Sequence, residues 1–282
     1  MYQLAAQLRL AKLKRWVFFL VVGCGCSLIY SVGAETLSPK QASPVIQYSA
    51  KVIQTFPHNA NYFTQGLEYK DGLIYESTGL HGESKFIVYN LENQKIVKKI
   101  DLAYRFFGEG LTVLDDKIYQ LTYRAQTGFI YDKSSLKQIG KFTYKTQGWG
   151  LSNDGRHLIM SDGSYKLYFL DPASFVPKKV LSVKYKGQYL KMLNELEYIN
   201  GFIYANVWMT KVIVQIDPAN GEVVGEINLA ELAEQNQGNS PDNVLNGIAW
   251  DADNERLLIT GKRWRFIYHV ELIENKAERV IN

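Results

Sequence analysis

The chain repeats itself. Five segments share one layout: QGLEYKDGLIYES from Gln65, EGLTVLDDKIYQLT from Glu109, WGLSNDGRHLIMSD from Trp149, NELEYINGFIYAN from Asn194 and NGIAWDADNERLLITG from Asn246. Their starts at 65, 109, 149, 194 and 246 are 40 to 52 residues apart. Fixed-period self-similarity constrains a fold more than composition does, because each copy is a unit that cannot bury its apolar faces alone. In each copy an opening residue followed by Gly or another residue leads into an apolar run. A polar turn (KDG, LDD, NDG, ING or DADNE) then joins it to a second apolar run. Gly, Asn and Asp tolerate the tight reversals that link antiparallel strands. A further pair of strand-like runs follows each unit, as in KFIVYNLENQKIVKKI and KVIVQIDPANGEVVGEI. Four short strands per repeat of this length predict an all-β fold, a five-bladed β-propeller of four-stranded antiparallel blades. The stretch VIQYSAKVIQTFPHN before the first copy reads as an outer strand without a blade of its own, expected to close the last blade. The longest interval holds INLAELAEQNQGNSPDN, read as a surface excursion with a short helix at 229–236.

The net charge of +4 is carried by Arg9, Lys12, Lys14 and Arg15, since the first 34 residues contain no acid. The rest balances 28 basic against 28 acidic residues, which argues against a nucleic-acid partner. Those four charges precede WVFFLVVGCGCSLIY and end in SVGAET. Residues 1–34 therefore read as a secretory signal cleaved after Ala34, as a lipoprotein signal with Cys24 lipidated, or as an uncleaved marginal anchor. Each reading leaves the propeller domain, residues 35–282, outside the cytoplasm: secreted, periplasmic or membrane-anchored, with membrane contact only through residues 1–34. Cys24 and Cys26 both fall in that segment, so the remainder has no disulfide and no thiolate nucleophile. His58, His81, His157 and His269 show no metal-ligand spacing, which disfavours zinc catalysis.

Aligning the copies gives Gln65, Glu109, Trp149, Asn194 and Asn246 one equivalent position at the start of a first strand. First strands line the channel of a propeller, so these residues are expected to converge near one mouth of it. Second strands add Glu76, Gln120, Tyr123, Ser161, Asp162, Asn206, Trp208, Lys262 and Trp264. One acid, one lysine, amides and indoles suit a small polar ligand. Channel groups that bind water and keep the strands in register are the plainer alternative. The Asp-Pro pairs at 171 and 217 read as turn starters, and His81 as a surface residue.

The motifs FTQGLEY, YESTGL, FGEGLT, YQLTY, GWGLSNDG, LNELEY, IYANVW, LNGIAW and TGKRW, spread over residues 50–272, resemble the glutamine cyclotransferases, the plant and bacterial type of glutaminyl-peptide cyclotransferase. The resemblance implies a five-bladed propeller that converts the N-terminal glutamine of peptides or proteins to pyroglutamate and releases ammonia. It implies Glu109 as catalytic acid/base with Lys262, and Gln65, Tyr123, Trp149, Asn194 and Trp208 as substrate-binding residues. No cofactor is implied for catalysis; plant members hold a calcium ion in the channel, so a structural calcium is allowed, while any metal ligands stay unassigned. Tyr123 stands where many members have Trp, Gln147 where Glu is frequent, Arg265 where Pro is usual and Ile87 where Arg is usual. Lys262 beside Glu109 is expected to keep the carboxylate ionised despite burial. A non-catalytic propeller that binds a peptide or protein, and a calcium-dependent lactonase-like hydrolase, remain open as alternatives.

Overall fold

The computed structural model describes residues 44–238 and 240–275; the expectation for residues 1–34 lies outside them. The described chain is all-β apart from one short helix, α1 (Ala230–Gln237). Strand β1 (Ile46–Pro57) comes first. A meander follows of β2 (Thr64–Lys70), β3 (Leu73–Thr78), β4 (Lys85–Asn90) and β5 (Ile96–Asp101), then a second of β6 (Gly108–Leu114), β7 (Lys117–Thr122), β8 (Thr127–Asp132) and β9 (Gln138–Thr143). The third comprises β10 (Leu151–Asn153), β11 (Leu158–Ser161), β12 (Lys166–Leu170) and β13 (Pro177–Ser182), with the small hairpin β14 (Lys184–Tyr185) and β15 (Gln188–Tyr189) after it. Next come β16 (Leu193–Ile199), β17 (Phe202–Val207), β18 (Val212–Ile216) and β19 (Val223–Asn228), and finally β20 (Leu245–Asp251), β21 (Arg256–Gly261) and β22 (Phe266–Glu274).

Turn chemistry explains why these elements form where they do. Asp71–Gly72 and Asn200–Gly201 both have positive φ at two successive residues, the conformation a two-residue hairpin needs. Between third and fourth strands, Asn90, Asp132, Asp171 and Asp217 each accept backbone N–H groups two or three residues on, which confirms the Asp-Pro pairs as turn starters. The fifth copy has no such residue. Its third strand, β22, instead pairs antiparallel with β1 from Tyr48↔Glu274 to Pro57↔Phe266.

The first three meanders form separate four-stranded sheets, but the last two units do not. At twelve residues β1 is longer than one partner requires, and its start also pairs in parallel with β19, from Ile46↔Gly225 to Ser49↔Asn228. The result is one eight-stranded sheet in the order β16-β17-β18-β19-β1-β22-β21-β20.

Burial grades across each meander. All seven residues of β6 are buried, whereas β5, β9 and β13 are mostly exposed and carry lysines that discourage edge pairing. First strands touch in a cycle: β2 meets β6, β6 meets β10, β10 meets β16, β16 meets β20 and β20 meets β2. Apolar clusters fill each junction in the same cycle, among them Phe86 with Phe129, Leu121 with Leu158, Phe169 with Ile203, Ile213 with Ile259, and Leu258 with Ile74. Carboxylates reinforce the crossings. Glu68 accepts the Val113 N–H at 2.8 Å, Glu195 the Ile248 N–H at 2.9 Å and Glu197 the Trp250 N–H at 3.0 Å. The insertion before β20 carries the expected short helix at the surface, with Glu231, Glu234 and Gln235 exposed, and Leu229, Leu232 and Ala233 anchor it on the core.

Candidate active site

In four of the five repeats the opening residue lies at a break in strand register. The ladder slips between Thr64 and Gly66, between Gly108 and Leu111, between Leu193 and Leu196, and between Leu245 and Ile248. Such bulges add residues to one strand and re-aim a side chain away from the regular faces of the sheet. Glu109 can thus leave the packed faces of an otherwise apolar strand and line a cavity at its end. Glycine beside the slot is required by crowding. A Cβ on Gly110 would lie 2.3 Å from Leu151 N, and one on Gly150 would lie 1.9 Å from Asn194 O, both backbone atoms.

The cavity encloses about 160 Å³, the scale of one side chain. Gln65, Glu109, Tyr123, Trp149, Asn194, Trp208 and Lys262 all line it, so the seven residues singled out in the sequence are brought together. Of the five slot residues, Asn246 does not line the cavity: its Nδ2 donates to Thr64 O at 2.9 Å and to Gln65 Oε1 at 3.4 Å, holding Gln65 from behind. The wider second-strand ring is largely absent too. Glu76 is buried against His58, Thr64 and Tyr89, Gln120 against Ser77 and Tyr131, and Asp162 bonds Tyr168. Ser161 bridges Gly150 N and Asn194 O at 2.7 Å each, Asn206 accepts the Gly247 N–H, and Trp264 donates to Asn243 O. These side chains hold the walls and do not line the cavity.

Sequence reasoning missed Phe63, Phe107, Met209 and Asp242. Phe63 and Phe107 flank the slots within FTQG and FGEG, so their signal was present in the motifs. Asp242 comes from the insertion, whose polar composition concealed it. The aromatic walls run in sequence: Phe63 against Phe107 at 6.3 Å, Phe107 against Tyr123 at 5.8 Å, Tyr123 against Trp149 at 6.3 Å, and Trp149 edge-on to Trp208 at 5.5 Å. Trp149 Nε1 donates to Gln147 Oε1 at 3.0 Å, which fixes the indole plane. His81 is exposed, as expected, although its ring packs on Phe107 at 5.7 Å.

Glu109 and Lys262 are each only 4% exposed. Among the described residues neither side chain enters a hydrogen bond or ion pair, and Lys262 Nζ lies 4.8 Å above the Phe63 ring. Burial pushes the Glu109 carboxyl well above the usual carboxylate range, against a smaller opposing pull from Lys262. The shift runs opposite to the direction expected from the sequence, because desolvation in the aromatic cavity outweighs one lysine that makes no direct contact. Burial likewise lowers the Lys262 amine to about 8, opposed by Glu109 and by Asp242. Burial thus disfavours the charged form of both groups.

Burial also raises Glu68 to about 7, and it raises Glu195 and Glu197 well above the carboxylate range, where repulsion from neighbouring glutamates adds to the effect. These groups accept backbone and hydroxyl donors, and among the described residues no group of three or more His, Cys, Asp or Glu is placed to hold a metal ion.

An aromatic-walled cavity with one buried acid and one buried lysine, on an all-β scaffold, marks the candidate active site of an enzyme. A family model described as glutamine cyclotransferase matches residues 26–272, and the chain belongs to that family. It is 40% identical over 234 residues to a glutaminyl-peptide cyclotransferase of Arabidopsis thaliana, an alignment covering 81% of this chain and 72% of the relative. The crystal structure of Myxococcus xanthus glutaminyl cyclase superimposes with a TM-score of 0.78 at 34% identity, covering 83% of this chain and all of that one.

Proposed function

We propose that this cavity carries the glutaminyl-peptide cyclotransferase activity of the chain, acting on an N-terminal glutamine without a cofactor. The observation that carries the reading is the buried, unpartnered pair Glu109 and Lys262 within the aromatic walls. The family membership and the two relatives support the same chemistry.

In the reaction, the substrate α-amine attacks its own γ-carboxamide carbon. A C–N bond closes the five-membered ring, the C–NH2 bond breaks, and ammonia leaves. Nucleophile and electrophile are already tethered, so orientation supplies much of the acceleration. A free α-amine has a pKa of about 7.7–8.0, so a useful fraction is neutral without a strong base. The remaining task is to move one proton from the ring nitrogen to the departing nitrogen. Glu109, held as the acid, gives its proton to the departing nitrogen and then recovers one from the ring nitrogen, ending unchanged. Protonated Lys262, with the Asn194 or Gln65 amide, donates to the oxygen that gains charge in the tetrahedral intermediate. Trp149, Trp208 and the two phenylalanines cover the glutamine methylenes and exclude water.

We read the five four-strand units as blades of a five-bladed propeller, supported by the cycle of first-strand contacts and by β1 completing the last unit. Residues 35–282 are taken as that domain. We place it outside the cytoplasm on the pattern of residues 1–34; among the described residues no helix is long and apolar enough to cross a membrane. The reading is tested with the purified protein and a Gln-initiated dipeptide. Release of ammonia with formation of pyroglutamate is expected; a partner-binding propeller or a lactonase would yield neither product.

A further inference from the structure

Next to the catalytic cavity lies a larger cleft of about 680 Å³, lined by Arg263, Arg265, Gln235, Asn236, Asn243 and Tyr268. It opens between the inserted α1 segment and the start of β22. The two sites share a thin wall: Lys262 and Asp242 face the catalytic cavity, whereas their chain neighbours Arg263 and Asn243 face the cleft. The Arg263 guanidinium lies 5.5 Å from the centre of Phe63, whose ring lines the catalytic cavity. Arg263 holds a left-handed backbone with φ +60°, fixed by its N–H bond to Tyr62 O at 2.8 Å. Backbone held in that region by a non-glycine residue tends to mark functional sites.

Among the described residues no carboxylate lies within 4.0 Å of either guanidinium. Arg256, by contrast, is held by Asp251 and Glu92. Two guanidinium forks without a carboxylate partner suit a ligand carboxylate, which such forks engage with two parallel bonds, while the neighbouring Asn236 and Asn243 amides are already bonded within the protein.

We infer that the Arg263–Arg265 cleft is a second subsite that binds an acidic side chain of the substrate peptide downstream of its N-terminal glutamine. The inference rests on the cyclotransferase reading and names the substrate class that reading would favour. Only adjacent chain residues, Lys262 with Arg263 and Asp242 with Asn243, separate the two sites, so an extended peptide leaving the first cavity reaches the cleft within a few residues. An acid placed immediately after the glutamine meets Asp242 at the cavity mouth and gains nothing.

The test is a ladder of C-terminally amidated hexapeptides that begin with Gln and carry one Glu at the second, third, fourth or fifth position. Each is compared with its Gln isostere, using the purified full chain. Expected is a rise of about three- to tenfold in kcat/KM for Glu beyond the second position, through KM with kcat unchanged and lost at high salt. Arg265→Gln should reduce the preference, and Arg263→Gln with Arg265→Gln should abolish it, while the all-neutral peptide reacts with Arg265→Gln as with the wild type. Equal rates for every peptide, or a preference unmoved in the double variant, overturn the inference while leaving the catalytic reading intact. Absence of ammonia from any peptide instead overturns the catalytic reading.

Discussion

Replacing Glu109 with glutamine isolates the proposed proton relay. The change keeps the size and shape of the side chain and removes its acidity. Each turnover needs one proton delivered to the leaving nitrogen and one taken from the ring nitrogen. Of the groups lining the cavity, only Glu109 and Lys262 are both ionisable and buried near it. Lys262, lowered only to about 8, is mostly an ammonium at neutral pH and serves the oxygen. General acid–base catalysis by one positioned group supplies about 10²–10⁴-fold, which corresponds to roughly 3–5 kcal/mol of barrier. Glu109→Gln should therefore lower kcat on a Gln-initiated peptide by that factor, measured as ammonia release. Stability should hardly change. Burial already disfavours the charged form of the native carboxyl, which has no hydrogen-bond partner among the described residues, so the isosteric amide breaks nothing. A thermal midpoint close to wild type separates lost chemistry from lost fold. A kcat within about threefold of wild type, with the fold intact, would refute the relay.

The pH profile of kcat should fall as pH rises through about 8, where Lys262 loses its proton; Lys262→Arg, which stays charged, should lose that alkaline limb in whatever activity remains. His58 is fully buried, with Nδ1 2.7 Å from Trp264 O and Nε2 3.1 Å from Glu76, so both ring nitrogens donate and the ring is cationic. Burial pulls its pKa down, but the charge and hydrogen bond of Glu76 more than compensate and the net shift is upward. The resulting stabilisation is fully present below the unfolded value of about 6.5 and is lost as pH rises through the folded value. His58→Gln should cost about 3–5 kcal/mol at low pH and less at alkaline pH, as read by denaturant unfolding at several pH values. Gly150→Ala would drive a Cβ into Asn194 O, a backbone atom that cannot turn aside. It should cost about 1–3 kcal/mol or more, again by denaturant unfolding, and reduce kcat by displacing Asn194.

Much of the scaffold was legible because hairpin chemistry and strand periodicity are local. Asp71–Gly72 and Asn200–Gly201 announce their turns in two residues, and the slot that holds Glu109 repeats openly with its neighbouring glycines. The motifs around Gln65, Glu109, Asn194 and Lys262 were enough to select residues that do share one cavity. The direction of a side chain is not local in that way. Glu76 and Lys262 both follow from second strands, yet His58 and Tyr89 claim the first, while the second reaches the cavity unclaimed. Asn246 occupies the same repeat position as Glu109 but turns to hold Gln65, since Thr64 O lies within reach of its amide.

By itself, then, the sequence determined the all-β repeat, the closing role of the N-terminal strand and the chemical inventory of the site. Tertiary structure decided which members of that inventory meet, brought Asp242 in from an insertion, merged two units through both edges of β1, and desolvated Glu109. The physical reason is that strands and turns are specified by neighbours along the chain. Bulge direction, desolvation and cross-sheet partners depend on atoms that only the closed fold brings together.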